Sequence, residues 1–463
     1  MKDGLKGKAI DRISVLLDAN SFVEIGQAIT ARNTDFKLDH TDTPADGVIT
    51  GYGLINGYPV YVYSQDADVL GGSIGEMHAK KIVNLYDLAM KTGVPVIGMI
   101  DCAGIRLQES TDALHAFGMI YQKQAQASGV ILQISAIFGN CGGGLAVFPT
   151  LTDFTLMEEK GQLFVNAPNA IHGNRKEVLD SAGAEFQSKE AGIVDLVGNE
   201  EEIFAGIRKL VELFPSNYKD QSKTVDCLDD LNRICGNLSS TTQDGTEILT
   251  QIADQNEFIE LKKDYGSDMA IGFIRLDGET IGCVANKAER ISAQGAKKAA
   301  AFVKLCDAFG VGIVTITNTV GFAADLEQEK DLASAIGAMT GAFVQASVPK
   351  VNVITCKAFG SAYVSMNSKS VGADLVYAWE DAKIGMMEAD MAAKIMNPGA
   401  DIEILKEKAQ EYEALQSSVD AAAKRGYVDT IIDPADTRKY VIGAFEMLYT
   451  KREMEIAKKH SAF

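Results

Sequence analysis

The sequence reads Val96-Ile97-Gly98-Met99-Ile100-Asp101-Cys102-Ala103-Gly104-Ile105 at one place and Ile313-Val314-Thr315-Ile316-Thr317-Asn318-Thr319-Val320-Gly321-Phe322 at another. When Asp101 is matched to Asn318, Gly104 falls on Gly321. Each copy is a mainly apolar run, typical of a strand buried on both faces, and each run leads into a glycine turn. Helix-like segments flank both copies. The pattern predicts two related α/β domains that arose by internal duplication.

A second glycine turn follows a later strand in each half. The first half has Gly139-Asn140-Cys141-Gly142-Gly143-Gly144, and the second has Lys357-Ala358-Phe359-Gly360-Ser361-Ala362. Matching Gly142 to Gly360 makes the spacing between the copies one residue longer here than at the first turn. Glycine lets a ligand approach the backbone closely, and unpaired N–H groups at the start of a helix attract a negative oxygen. Two such turns in one domain predict an oxyanion hole made of backbone amides.

Local patterns set the expected domain boundaries. Asn56-Gly57 between two apolar runs predicts a hairpin with a type I′ turn, and helices alternating with buried strands predict parallel crossover units. We expect short strands at 21–25 and 192–195, and helices at 8–18, 202–213, 244–261 and 437–459. The predicted parts are an entry segment 1–45, a first domain 46–198, a connection and helical lead-in 199–265, a second domain 266–436 and a C-terminal helix 437–463.

Composition indicates a globular protein with two cores. The chain has 463 residues, of which 46% are hydrophobic and 23% charged. Its net charge of −19 disfavours nonspecific binding to nucleic acid or to anionic membranes. No apolar run reaches the roughly 18 residues of a membrane helix, and the first residues lack a secretion signal, so we expect a cytoplasmic protein without direct membrane insertion. The seven cysteines form no Cys-x-x-Cys pair, so we expect reduced core residues and no metal.

Few side chains near the turns suggest acid–base or nucleophilic chemistry. Ser361 lacks a nearby base in sequence, since no histidine lies between Gly173 and Lys459. Carboxylates near the turns form no distinctive pair and are typical of solvated helix starts. These are Glu109, Glu158, Glu159, Asp325, Glu327 and Glu329. Paired lysines begin the first helix of each half, at Lys80-Lys81 and Lys297-Lys298, where they either contact phosphate or belong to amphipathic helices.

The turns and their flanking motifs resemble the biotin-dependent acyl-CoA carboxyltransferase family, the subunits of propionyl-CoA and related carboxylases and of sodium-pumping acyl-CoA decarboxylases. The resemblance covers nearly the whole chain. It rests on motifs that include Asp46-Gly47-Val48-Ile49-Thr50-Gly51-Tyr52-Gly53, Asp101-Cys102-Ala103-Gly104-Ile105-Arg106-Leu107-Gln108-Glu109, Lys298-Ala299-Ala300-Ala301-Phe302 and Lys357-Ala358-Phe359-Gly360.

The resemblance implies two tandem crotonase-like (ClpP/crotonase) domains, the first binding acyl-CoA and the second binding carboxybiotin on a separate carrier protein. It implies that the amides of Ile105 and Gly143 hold the thioester oxygen as an enolate forms. It also implies that the amides of Phe322 and of Ser361 or Ala362 hold the ureido oxygen of biotin. The other implied substrate-binding residues are Ala103, Gly104, Arg106, Gly142, Gly144, Gly321, Gly360 and Val364.

The implied activity is transfer of a carboxyl group between carboxybiotin and the α carbon of a short acyl-CoA such as propionyl-CoA or acetyl-CoA. The implied partners are a biotin carboxyl carrier protein and either a biotin carboxylase or a membrane decarboxylase subunit, around a homohexamer built as a trimer of dimers. Three alternatives stay open. They are the α subunit of a decarboxylase for methylmalonyl-CoA or glutaconyl-CoA, a stand-alone enoyl-CoA hydratase or isomerase, and a noncatalytic scaffold of a biotin enzyme complex.

Overall fold

The structure is a computed structural model that describes residues 8–38, 41–220, 223–451 and 453. The chain divides into two compact units, Met1–Lys223 and Thr224–Phe463, which we call the first unit and the second unit. The boundaries predicted at residues 45, 198, 265 and 436 subdivide these units more finely and stay predictions.

The first unit is built on one mixed sheet. Its described strands are β1 Val23–Ile25, β2 Val48–Ile55, β3 Tyr58–Gln65, β4 Val96–Cys102, β5 Gln133–Gly142, β6 Phe154–Glu158, β7 Gln162–Phe164 and β8 Leu196–Gly198. The strand order is β1-β2-β3-β4-β5-β6-β8, and β7 pairs with β5. Strand β4 runs parallel to β3 and β5, and β6 runs parallel to β5, as the crossover pattern predicted.

Helices cover this sheet. Their bounds are α1 Lys8–Leu16, α2 Glu76–Thr92, α3 Ser110–Ala127, α4 Val147–Thr150, α5 Ala184–Lys189 and α6 Glu200–Leu213. Helices α2 and α3 bury Ile82, Leu85, Phe117 and Ile120 in the same core as strands β4 and β5. Full burial of one such side chain stabilises the fold by about 1.5–3 kcal/mol, so this core fixes the positions at which β4 and β5 end.

The second unit has the same strand order in its main sheet. Its described strands are β9 Ile259–Leu261, β10 Met269–Leu276, β11 Glu279–Asn286, β12 Arg290–Ile291, β13 Ile313–Thr319, β14 Gly321–Phe322, β15 Lys350–Phe359, β16 Leu375–Trp379, β17 Lys383–Gly385 and β18 Thr430–Ile432. The order β9-β10-β11-β13-β15-β16-β18, with β17 paired to β15, repeats that of the first sheet. Strands β12 and β14 pair separately.

The helices of the second unit follow the same plan with additions near its end. They are α7 Gly245–Ile252, α8 Ala293–Ala308, α9 Leu326–Gln345, α10 Gly360–Ser365, α11 Ala389–Met396, α12 Ile402–Tyr412, α13 Val419–Lys424 and α14 Thr437–Leu448. Helices α8 and α9 connect the same pairs of parallel strands as α2 and α3. The repeated order supports the predicted duplication, and the α/β class is confirmed.

Both hairpins have a type I′ turn, as predicted for the first. Asn56 and Gly57 join β2 to β3 with φ of 49° and 82°. Asp277 and Gly278 join β10 to β11 with φ of 53° and 75°. Positive φ at both central residues defines the type I′ turn, which asparagine, aspartate and glycine tolerate best.

Several predicted elements need correction. The strand predicted at 192–195 is displaced, because β8 begins at Leu196 where it pairs with β6. The helix predicted over 244–261 ends at Ile252, and β9 then pairs antiparallel with β10. Pairing with a neighbouring strand outweighs local helix propensity in such short segments. The entry helix ends at Leu16, the entry strand begins at Val23, and α6 begins at Glu200. Helix α14 ends at Leu448, and residues 452 and 454–463 lie outside the described residues.

Candidate active site

In the first glycine turn of the first unit, the backbone N–H of Ile105 points away from the neighbouring segment at Ile74. Ile74 and Ile105 form a parallel bridge. The N–H of Ile74 donates to the Gly104 carbonyl at 2.9 Å, and the N–H of Arg106 donates to the Ile74 carbonyl at 3.0 Å. In a parallel pattern of this kind the middle residue points its own N–H to the opposite side. The N–H of Ile105 therefore faces away from Ile74.

The second glycine turn lies at the same edge of the sheet. Strand β5 ends at Gly142, and Gly143 begins a short 3-10 helix with φ of 64°. Strands β4 and β5 are parallel neighbours in which Cys102 lies opposite Cys141. Carboxyl ends of neighbouring parallel strands share one edge of a sheet, where ligands of α/β folds commonly bind. The two turns of the first unit are therefore neighbours.

The glycines of these turns differ in their surroundings. A Cβ atom on Gly104 or Gly143 would have no heavy atom within 4 Å, so both positions face open space. A Cβ on Gly142 would lie 2.6 Å from the Phe164 ring, and one on Gly144 would lie 3.0 Å from the Tyr121 hydroxyl. Gly104 and Gly143 leave room for a ligand, whereas Gly142 and Gly144 allow close packing.

The first turn of the second unit repeats the same backbone pattern. Ile291 and Phe322 are paired in parallel, and the N–H of Ala323 donates to the Ile291 carbonyl at 2.9 Å. The N–H of Phe322 therefore faces away from Ile291, as that of Ile105 faces away from Ile74. Gly321 lies at the position matching Gly104.

The second turn of the second unit corrects the alignment of the repeat. Strands β5 and β15 each have 10 residues, and they are followed by Gly143 with φ of 64° and Gly360 with φ of 63°. The counterpart of Gly360 is therefore Gly143 and not Gly142, so both turns of the repeat keep one spacing. Ser361 then matches Gly144. The sequence alone suggested the wrong match because Phe359 stands at the position of Gly142, so the first glycine of each turn was aligned.

The remaining predicted residues lie around these turns. Ser361 and Ala362 are in the first turn of α10; Ser361 is exposed and Ala362 is 1% exposed. Val364 follows on the same helix and is 38% exposed. Ala103 precedes the first turn, where its N–H donates to the Gly71 carbonyl at 2.8 Å.

The side chain of Arg106 is buried in a charged cluster. Its Nη1 donates to Asp46 Oδ1 at 2.6 Å and to Glu109 Oε1 at 2.9 Å. Its Nη2 donates to the Ser73 carbonyl at 2.6 Å. The three charged side chains are at most 1% exposed. The backbone of Arg106 thus lies at the first turn, whereas its guanidinium lies in the interior.

Carboxylates near the turns serve helix starts. Glu109 Oε2 accepts from the N–H of Glu76, the first residue of α2, at 2.6 Å. Asp325 caps α9 by accepting from the N–H of Glu327 at 3.1 Å and that of Gln328 at 3.0 Å. The prediction of a solvated helix start is confirmed for Asp325 and is wrong for Glu109, which is buried and paired with Arg106.

His78, which the sequence did not single out, lies beside the Arg106 cluster with a defined tautomer. Its Nδ1 is 2.9 Å from the Asp46 carbonyl and must donate, so Nε2 accepts from Gln65 Nε2 at 3.2 Å. The ring is fully buried. Burial, followed by the charge of Arg106, lowers the pKa of His78 to about 3.

This histidine predicts acid sensitivity of the fold. Because its pKa is lowered in the folded state from 6.5, the unfolded chain binds the proton more readily and stability is lost as pH falls. From pH 8 to pH 5 this group lowers the free energy of unfolding by about 2 kcal/mol. We expect the free energy of unfolding of wild type to exceed that of His78→Gln by about 2 kcal/mol less at pH 5 than at pH 8. Denaturant titrations at the two pH values measure this. A constant difference for His78→Gln would contradict the assignment.

The paired lysines divide into two exposed and two buried members. Lys81 Nζ donates to the Ala45 and Val48 carbonyls, and Lys298 Nζ donates to the Lys262 and Tyr265 carbonyls. Burial lowers the pKa of both amines to about 8. The exposed pair bonds to carboxylates, Lys80 to Glu76 and Lys297 to Asp331. Lys81 and Lys298 thus stabilise corresponding loops in the two units. Their amines bond to backbone carbonyls and are not available to a phosphate.

The thiols near the first-unit turns are buried. Burial raises the pKa of Cys102 to about 12, and it also raises the pKa of Cys141. All seven cysteines are free, as predicted, but Cys227 and Cys356 are only half-buried. Within the described residues, no cluster of three or more His, Cys, Asp or Glu side chains is arranged to hold a metal ion. None of the helices in the described ranges is both long and apolar enough to span a membrane.

Comparison with known proteins places the chain in a family. The Carboxyl transferase domain family matches residues 5–463. The chain is 38% identical to a propionyl-CoA carboxylase beta chain of Roseobacter denitrificans, over 98% of this chain and 92% of that one. It is 36% identical to a methylmalonyl-CoA decarboxylase subunit alpha of Propionigenium modestum, over the same shares.

A solved structure has the same fold. It is a transcarboxylase 12S hexamer core with methylmalonyl-coenzyme A bound, similar to this chain with a TM-score of 0.93 and 34% identity. The match covers 98% of this chain and 92% of that one. The tandem crotonase-like fold is thereby confirmed. This chain belongs to the carboxyl transferase domain family and is a carboxyltransferase.

Proposed function

We propose that this chain moves a carboxyl group between carboxybiotin on a carrier protein and the α carbon of a short acyl-CoA. The observation that carries the proposal is the repeated pair of turns, in which Ile105 and Phe322 direct their amides alike and Gly143 and Gly360 share one backbone conformation. One such pair suits the thioester oxygen, and the other suits the ureido oxygen of biotin.

The first unit is the proposed acyl-CoA site. The amides of Ile105 and Gly143 hold the thioester oxygen, and their bonds strengthen as that oxygen gains charge in the enolate. A backbone donor that strengthens in this way contributes about 3–4 kcal/mol to lowering the barrier. The open space at Gly104 and Gly143 admits the acyl group.

The second unit is the proposed biotin site. The amide of Phe322 is one donor to the ureido oxygen, and the other comes from the start of α10, where we add Gly360 to Ser361 and Ala362. A Cβ on Gly360 would have Met386 O as its nearest atom, at 3.4 Å, so the turn keeps room for a planar ring. Carboxybiotin supplies CO₂ and, once decarboxylated, a ureido nitrogen that takes the α proton of the acyl-CoA.

The acyl group is propionyl or a close relative. Propionyl-CoA and methylmalonyl-CoA appear in the names of the relatives at 38% and 36% identity, and the similar solved structure binds methylmalonyl-coenzyme A. The enolate is common to both directions, so the same site serves a carboxylase or the α subunit of a decarboxylase. The partner that supplies or removes the carboxyl group sets the direction.

The assembly we propose is a homohexamer that works with a biotin carboxyl carrier protein. The hexamer of the solved transcarboxylase core supports this. The third partner is a biotin carboxylase or a membrane decarboxylase subunit, as the two kinds of relative suggest. We place the activity in the cytoplasm.

Carboxyl exchange separates this function from its alternatives. We expect label from carboxyl-labelled methylmalonyl-CoA to reach a biotinylated carrier protein when the purified chain is present. Hydration of crotonyl-CoA without biotin would instead support a stand-alone hydratase. Neither reaction, despite binding of propionyl-CoA, would support a scaffold.

A further inference from the structure

We propose that Asp46, Arg106 and Glu109 form a positioning cluster that orients the N–H of Ile105 toward the thioester oxygen. The inference rests on the proposed function of Ile105 as an oxyanion donor. It assigns Arg106 a role through its neighbour and not through contact with substrate.

Arg106 clamps both sides of the bridge that orients Ile105. Its backbone N–H donates to the Ile74 carbonyl at 3.0 Å. Its guanidinium reaches across to the Ser73 carbonyl at 2.6 Å, one residue before Ile74. The residues that follow Ile105 and precede Ile74 are thus tied together, so movement of the guanidinium would tilt the peptide that carries the Ile105 N–H.

The two carboxylates tie this clamp to the start of α2. Asp46 Oδ2 accepts from the N–H of His78 at 2.7 Å, while its Oδ1 accepts from Arg106. Glu109 likewise divides its oxygens between Glu76 N–H and Arg106. Each carboxylate uses one oxygen for the helix and one for the guanidinium, so a neutral amide could not serve both donors.

The backbone around Asp46 is held in a strained form. Ala45 and Asp46 have φ of 53° and 51°, a region that residues with a Cβ rarely adopt. Lys81 donates to the carbonyls of Ala45 and Val48, and His78 Nδ1 donates to the Asp46 carbonyl. Strain of this kind persists where the surroundings fix the conformation, and such sites are commonly functional.

The second unit repeats the turn without the cluster. In the alignment that matches Gly104 to Gly321, Ala323 stands at the position of Arg106 and Leu326 at that of Glu109. Leu326 is 78% exposed. The fold therefore forms its Phe322 turn without a buried arginine. The cluster belongs to the unit that we assign to acyl-CoA, where charge develops on carbon and oxygen during reaction.

The test compares two matched aspartates in the full-length enzyme, Asp46→Asn and Asp254→Asn. Asp254 lies in the second unit and also bonds a buried arginine and a backbone amide: its Oδ1 accepts from Arg438 Nη2 at 2.6 Å and its Oδ2 from Gly278 N–H at 2.7 Å. Arg438 is 0% exposed. Both variants remove one buried charge, but only Asp46 lies beside the Ile105 turn.

The readout is the affinity for two ligands: propionyl-CoA, and the nitronate form of 2-nitropropionyl-CoA, which keeps the thioester and has the planar α carbon and delocalised negative charge of the enolate. We expect Asp46→Asn to bind the nitronate about 10–100-fold more weakly, with kcat reduced by a similar factor and affinity for propionyl-CoA changed less than about 2-fold. Asp254→Asn should change neither affinity.

Two results overturn the inference. An equal loss for both ligands in Asp46→Asn would mean a merely structural role, and no loss for either ligand in the folded variant would mean no role. A third result tests the proposed function separately. If the wild type binds the nitronate no better than propionyl-CoA, Ile105 and Gly143 do not form an oxyanion hole and the inference fails with that function.

Discussion

Replacing Gly143 with Ala is expected to lower kcat about 10²–10³-fold, the usual effect of losing one oxyanion donor. Gly143 has φ of 64°, where a Cβ costs about 1–2 kcal/mol, so the turn will relax and its N–H will move. The added methyl group would also point into open space, which we assign to the thioester oxygen. Gly143→Val should be at least as inactive because its side chain is larger and β-branched. Steady-state transfer with saturating propionyl-CoA measures the effect.

Gly57→Ala is the matched control for this experiment. Gly57 lies in the hairpin turn of the same unit, with φ of 82° and no atom within 4 Å of an added Cβ. The control should show a similar loss of stability with wild-type kcat. If folded Gly143→Ala kept full activity, the amide of Gly143 would not be a donor of the oxyanion hole.

Replacing Gly75 with Ala is expected to destabilise the first unit by about 3–5 kcal/mol, the cost of disrupting a buried ion pair. Gly75 has φ of −112°, which suits any residue, so backbone strain is not the cause. An added Cβ would lie 2.5 Å from Arg106 Nη1 and closer still to Glu109 Oε1. Both charged groups are buried and cannot move into water. Chemical denaturation followed by a probe in the first unit measures the loss.

Gly118→Ala should have the opposite effect. Gly118 lies within α3, and no atom lies within 4 Å of an added Cβ. Alanine in an open helix position stabilises by about 0.5–1 kcal/mol over glycine. If Gly75→Ala proved as stable as wild type, the backbone would not lie directly against the Arg106 cluster.

The sequence predicted the elements whose determinants are local or repeated. Asn56-Gly57 specifies its own turn type, and the apolar runs ending at Asp101 and Asn318 predicted paired parallel strands. Strand β8 was misplaced and β9 was predicted as helix, because each has three residues and forms by pairing with another strand, β8 with β6 and β9 with β10. The predicted C-terminal helix included residues 449–451, which lie outside α14, because its charged, amphipathic pattern continues past Leu448.

The Arg106 cluster could not be predicted in the same way. Asp46 and Arg106 are 60 residues apart in sequence, and only the arrangement of α2 and β4 brings them together. The family resemblance implied that Arg106 contacts substrate. One signal was present: the first half carries Arg106 and Glu109 where the second carries Ala323 and Leu326, so the charges serve only one copy.

Decarboxylation of methylmalonyl-CoA by the purified chain, with and without free biotin, tests the central claim most directly. We predict CO₂ release that rises with biotin concentration, because the reaction needs both an acyl-CoA site in the first unit and a biotin site in the second. Tight binding of methylmalonyl-CoA with no biotin-dependent release of CO₂ would contradict the account.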